Sequence, residues 1–137
     1  LEEVGNDNIF IFGLKAAEVK DMKLSGYNPR AIYESDAELK EVLDLIRTDH
    51  FNKDEPGIFS HLFNDLVTYG DNYMLLADYR SYVNTQDKVD EVYRKRSEWT
   101  RMSILNTARS GKFSSDRTIR EYVEDIWGVK PVNVNFE

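Results

Sequence analysis

Ile9-Phe10-Ile11-Phe12 is an unbroken apolar run that stops at Gly13. A strand with one face in water alternates apolar and polar residues, whereas a run of this kind suits a strand buried on both faces of a helix-covered parallel sheet. One other segment reads the same way, Tyr73-Met74-Leu75-Leu76 between Gly70 and Asp78. Two short strands do not make a stable sheet, since about three are needed even beneath a covering helix. The pattern therefore predicts strands at 8–12 and 73–76 whose sheet partners lie outside this sequence. The opening at Leu1 rather than Met agrees, reading as a chain with residues missing upstream.

Everything between reads as helix. A helix over 16–24 can close at Gly26 in left-handed geometry. Asn28-Pro29 offers a cap and a first-turn proline, and Ser35 with Glu38 has capping-box spacing ahead of an apolar face of Leu39, Val42, Leu43 and Ile46. Together these predict helices over 29–48. Phe59, Leu62, Phe63, Leu66 and Val67 predict a helix over 57–69. Asp78 is positioned to cap a helix over 78–96 with a stripe of Tyr82, Val83, Val89, Val92 and Tyr93. Ser97 does the same for 98–109, closed near Gly111. A last helix over 115–127, started by Ser114 or Ser115, carries Ile119, Tyr122, Val123, Ile126 and Trp127 and ends at Gly128, leaving a tail at 129–137. The fold class expected is predominantly α with two short strands. At 137 residues with 41% hydrophobic content, the chain is one folded unit rather than a disordered one.

A net charge of −7 opposes binding to DNA or anionic lipid, which rests on neutralising phosphates. With no cysteine there is neither a disulfide framework nor a thiolate metal site. No apolar run approaches the ~20 residues of a membrane span and no signal peptide precedes Leu1, so the expected protein is soluble and cytoplasmic.

Gly111-Lys112 invites a phosphate-loop reading, which fails. The motif requires a glycine where Asn106 stands, a hydroxyl where Phe113 stands, and a strand where a helix precedes it. Gly111 reads instead as the end of one helix, with Phe113 packed beneath the turn and a serine capping the next. A weaker anion site among Arg109, Lys112 and Arg117 is opposed by Asp116. His50 and His61 lack the further ligands a metal site needs. Glu121 and Asp125, four apart, are a solvated face unless something perturbs them. The eight tyrosines are core or core-edge residues and mark no base-stacking surface. No Ser/His/Asp or Cys/His constellation is present.

Three stretches, "VGNDNIFIFGLKAAEV", "LLADYRSYV" and above all "EWTRMSILNTARSGKFSSDRTIREYVEDIWGVKP", resemble the C-terminal end of the α-glucan phosphorylases, the glycogen, starch and maltodextrin phosphorylase family. The resemblance implies the end-piece of a large cytoplasmic glycosyltransferase of the GT-B type, completing its second Rossmann-like (α/β) domain. Such enzymes use phosphate to release glucose 1-phosphate from an α-1,4-glucan, with pyridoxal phosphate bound as a Schiff base to a lysine. That lysine belongs to a "GTGNMKF"-type motif that this chain lacks, and Lys15, Lys20 and Lys23, on an amphipathic helix, do not match it. The resemblance thus implies no catalytic, cofactor-binding or metal residue here. The partner it implies is the N-terminal portion of the same enzyme, and exposed strand edges would favour self-association of the isolated piece. The alternative reading is a freestanding helical protein-interaction module without catalysis.

Overall fold

A computed structural model describes residues 1–130 and 132. Its helices are α1 (Ala16–Ser25), α2 (Pro29–Ser35), α3 (Ala37–Arg47), α4 (Ser60–Phe63), α5 (Leu75–Arg94), α6 (Arg96–Arg109) and α7 (Ser115–Glu121). Helices α4 and α7 continue as π-helical turns over Asn64–Thr68 and Tyr122–Trp127, and 3-10 turns lie at Asn6–Asn8 and Ser110–Phe113. Of the tail expected at 129–137, residues 131 and 133–137 lie outside the described residues.

No strand forms among the described residues, which corrects the mixed fold class expected above. Residue 8 ends a 3-10 turn, and Ile9 is extended at φ −144° and ψ 143° but pairs with no neighbour. The run stays uncovered, with Ile11 59% and Phe12 47% exposed. An apolar sequence sets a preference for extended backbone, but a strand exists only where another strand takes its N–H and C=O groups. The second run fails for a local reason. Met74 adopts φ 58°, in the left-handed region, and α5 begins at the next residue.

The signal that misplaced this boundary is Asp78. It looks like a helix cap, yet its Oδ1 accepts the N–H of Leu14, 2.8 Å away, while Asp71 takes the N–H groups of Leu75 and Leu76 at 3.0 and 2.8 Å. Other caps fall where expected. Asn28 accepts from Ala31 N–H and Ser114 from Arg117 N–H, and Gly26 and Gly128 close their helices in left-handed geometry. Ser35 yields to its neighbour, since Asp36 caps α3 through Leu39 N–H at 3.1 Å. Lys95, not Ser97, precedes α6.

The chain divides into two compact units, one of residues 11–91 and one of residues 1–10 with 92–137. In the first, Tyr33, Leu39, Leu43, Phe63, Val67 and Leu76 form the buried cluster, flanked by Ile32, Ile46, Leu66 and Tyr79. Tyr33 and Phe63 meet edge to face at 5.5 Å, within the favoured range for aromatic pairs. Of the face expected on α3, Leu39 and Leu43 are 2% and 3% exposed, while Val42 remains 41% exposed. Helix α1 buries no residue, so its lysines do not lie on the amphipathic helix expected for them. In the second unit, Met102 is the buried apolar residue among those described. Asn106 ties the N-terminal segment to α6 by donating to the carbonyls of Asn8 and Met102 at 2.7 and 2.9 Å.

Gly13 illustrates a close approach that excludes side chains. Its φ is 86°, and a Cβ there would stand 2.7 Å from Asp78 Oδ2. Gly13→Ala should therefore lower stability by about 2 kcal/mol through backbone strain and the clash together. Urea unfolding of the variant measures this, and the double variant with Asp78→Ala should not recover the backbone portion. A single substitution without effect would mean that the 13–15 loop is not held as described.

Candidate functional site

Of the cations that a phosphate would need at the Ser110–Phe113 joint, Lys112 and Arg117 are already occupied by the chain's own groups. Lys112 Nζ lies 3.1 Å from Glu2 and 2.7 Å from Glu3. The hydrogen bond from Lys112 holds the Glu3 carboxyl below its ordinary range, and Glu3 in turn raises Lys112. Arg117 donates to the Lys112 carbonyl and pairs with Glu121 Oε1 at 2.6 Å. The joint is therefore an internal cross-link between the N-terminal segment and the α6–α7 turn. Its acidic partner is the one that sequence spacing could not reveal, because Glu2 and Lys112 are 110 positions apart. Phe113 is 78% exposed and does not pack beneath the turn, contrary to expectation.

The other candidates are dispersed. His50 is exposed with its ring against Phe51 at 5.2 Å, and the exposed His61 has Nδ1 2.9 Å from the Ile58 carbonyl. No group of three or more His, Asp or Glu able to hold a metal exists among the described residues. Glu121 is committed to Arg117, and Asp125 is exposed. Lys15, just before α1, and Lys20 and Lys23 on it are all exposed.

Three polar constellations that the sequence did not announce lie in the unit of residues 11–91. Asp71, 3% exposed, accepts from Tyr27 Oη at 2.7 Å as well as from the start of α5. Burial, reinforced by the hydrogen bond to Asp71, pushes the Tyr27 phenol well above its ordinary range, so it stays a donor at neutral pH. Arg80 clamps Asp36 through Nη2 at 2.6 Å and Glu38 through Nη1 at 2.9 Å. A third network joins Lys40, Asp44 and the Tyr33 hydroxyl, which donates to Asp44 at 2.6 Å. All three fix one helix relative to a neighbouring segment. Each hydroxyl and amine in them is committed to a carboxylate of the same network, and what these bonds do is hold neighbouring elements in place.

The Arg80 clamp makes a pH prediction. Its hydrogen bond to Asp36 holds that carboxyl below the ordinary value of 3.8. A carboxyl depressed on folding contributes stability above its ordinary value and loses it as pH falls through the folded one. The contribution is thus complete above about pH 5, begins to fall as pH nears the ordinary value of 3.8, and is gone only below the lower folded value. Arg80→Gln should shallow the acid limb of a plot of urea midpoint against pH. Asp44, lowered chiefly by Lys40, keeps part of that limb. Superimposable acid limbs for the two proteins would refute the clamp.

The sequence profile of the carbohydrate phosphorylases matches residues 1–129. The chain belongs to the carbohydrate phosphorylase family. A glycogen phosphorylase of Synechocystis is 47% identical over 136 residues, covering 99% of this chain and 16% of that protein. The human brain form of glycogen phosphorylase is 45% identical and the rat muscle form 42%, each over 130 residues, 95% of this chain and 15% of the relative. The chain thus spans about a sixth of the length of the curated phosphorylases it matches. The resemblance read from the 98–131 stretch is upheld, although the strands inferred beside it are not. No helix among the described residues is long and apolar enough to cross a membrane.

Proposed function

We propose that this chain is the C-terminal structural portion, the end of a single larger unit, of an α-1,4-glucan phosphorylase. The complete enzyme phosphorolyses glycogen or maltodextrin to glucose 1-phosphate in the cytoplasm. The observation that carries the reading is identity of 42–47% to glycogen phosphorylases over nearly the whole chain but only 15–16% of their length. The pattern of exposure supports it. Ile119, Tyr122, Ile126 and Trp127 form the apolar face of the last helix and are 50%, 44%, 68% and 55% exposed. A continuous uncovered apolar face of this kind marks a surface made for contact. Its partner in this reading is the N-terminal portion of the same enzyme.

The chemistry is assigned elsewhere. Pyridoxal phosphate supplies an acidic phosphate group for proton transfer when bound to such enzymes. The residues here do not fit it: the lysines of α1 are exposed, Lys40 and Lys112 are ion-paired, and no glycine-rich cradle surrounds any of them. An imine to an exposed lysine would stand open to water, which an enclosed coenzyme site excludes. In this reading no residue of the chain touches the reacting atoms, and the chain alone is inactive.

Phosphate-dependent release of glucose 1-phosphate from maltodextrin, assayed with the whole protein and with the 137-residue chain, tests the proposal. The whole protein should be active and the chain inert, with no coenzyme retained as a Schiff base after dialysis. Activity or covalent coenzyme in the chain alone would overturn it. A second test uses Trp127→Ala. Because the ring is half exposed, the isolated chain should lose less than about 1 kcal/mol, whereas a ring covered in the whole enzyme should cost about 3–5 kcal/mol there. Equal small losses in both would leave the last helix without the docking role assigned to it.

A further inference from the structure

After the last helix the chain turns back on itself. Gly128 takes left-handed geometry at φ 60° and ψ 29°, and the N–H of Val129 donates to the Val123 carbonyl at 3.2 Å. The reversal leaves a groove of about 830 Å³ along the helix end, lined by Ile119, Val123, Trp127 and Val129 together with the charged Arg120 and Lys130. Tyr122 steadies the indole of Trp127, the ring centres 5.9 Å apart. The groove shares Ile119 and Trp127 with the apolar face assigned above to docking.

The two cations select the occupant. In the same unit Lys112 pairs with Glu2 and Glu3, Arg117 with Glu121, and Lys95 with Glu98. Arg120 and Lys130 pair with no carboxylate among the described residues, and Glu124, which also lines the groove, makes an ion pair with neither. A purely apolar segment laid over Val123, Trp127 and Val129 would draw both cations out of water unpaired, a cost that opposes the apolar contact. A segment that brings a carboxylate gains a charge-assisted pair, bidentate at the Arg120 guanidinium, and can still rest an apolar side chain on the indole. Glu124 and Asp125 on the same helix, with a net charge of −7 on the chain, oppose a polyanion such as nucleic acid. We infer that the groove seats an acidic segment with an adjoining apolar side chain, its carboxylate between Arg120 and Lys130, supplied by the part of the phosphorylase that lies outside this chain. The inference rests on the docking reading of the last helix for the source of the segment, and on the groove's own lining for its chemistry. Relatives of which this chain covers only 15–16% have ample further chain to supply it.

Carbodiimide coupling of the whole, unmutated protein, which joins an amine to a carboxylate in direct contact, tests it. Peptide mapping by mass spectrometry should find Lys130 joined to an Asp or Glu outside these 137 residues, with an aliphatic or aromatic residue beside it. Coupling only within this chain, coupling between isotopically light and heavy copies, or no coupling at Lys130 would overturn the proposal. Arg120→Glu with Lys130→Glu should lower the melting temperature of the whole protein by at least about 2 °C, and the difference should shrink in about 1 M salt. The isolated chain, in which both side chains are exposed, should melt as its parent does. An unchanged melting temperature in the whole protein, or an equal fall in the isolated chain, would also overturn it. If Trp127→Ala is costly in the whole protein while Lys130 couples to nothing, the docking reading stands and this inference falls. A whole protein without phosphorolysis would overturn the enzymatic reading, and the coupling map would still decide the groove.

Discussion

Asp71→Ala should destabilise the chain by about 3–5 kcal/mol, measured by urea unfolding. The carboxylate is 3% exposed and accepts three hydrogen bonds, from the Tyr27 hydroxyl at 2.7 Å and the N–H groups of Leu75 and Leu76 at 3.0 and 2.8 Å. Alanine leaves all three donors without their acceptor, and a half-buried phenol with its oxygen facing a void cannot be resolvated at no cost. It also inherits a φ of 45°. Left-handed backbone costs alanine roughly 1 kcal/mol, whereas asparagine tolerates it. Asp71→Asn retains one acceptor oxygen and the favourable backbone, so its cost should be only about 1–2 kcal/mol. Ala and Asn variants of equal stability would show that the turn before α5 is held by something other than this carboxylate.

That turn also shows where the sequence stopped being legible. Capping chemistry is local, and where the local signal was the one used, as at Asn28, Ser114, Gly26 and Gly128, the expected ends of the helices are found. Two acidic residues competed to start α5, and nothing in their spacing told which would serve the helix and which the 13–15 loop. Ser35 and Asp36 competed in the same way at α3, and the carboxylate won because Arg80, 44 positions away, steadies it. The apolar runs at 9–12 and 73–76 misled for a different reason. Hydrophobicity reports that a segment seeks cover, not which backbone conformation will find it.

The functional reading followed the opposite course. Charge, histidine spacing and the missing cysteines excluded most chemistries, and the stretch from Glu98 to Pro131 carried the family without any structural knowledge. Lys112 was visible as a cation in that stretch, but its pairing with Glu2 and Glu3 was not, because ion pairs across such separations leave no periodic trace. The exposed tyrosines were equally hidden. Eight tyrosines in a helical chain read as core residues, and only the positive φ of Met74 shows that Tyr73 is turned the other way.

Leu39→Ala should cost about 3–4 kcal/mol, and its neighbour on the exposed side of the same helix, Val42→Ala, less than about 1 kcal/mol. Leu39 is 2% exposed within a buried cluster of six residues, so truncation leaves a cavity walled by Tyr33, Leu43 and Phe63 that rigid helices cannot close. Such a loss weighs heavily because the remaining apolar surface does little for this chain by itself: α5 buries Leu76 alone among its residues, and α7 with its π turn buries none. Stability of ordinary domains is only about 5–15 kcal/mol, so truncating one of the six residues of this cluster removes a large share of what holds unit 11–91. The measurement is a urea titration of both variants followed by the Tyr33 and Phe63 environment in near-ultraviolet circular dichroism. Equal costs at positions 39 and 42 would mean that α3 is not covered on one face, and the packing described for this unit would fall with it.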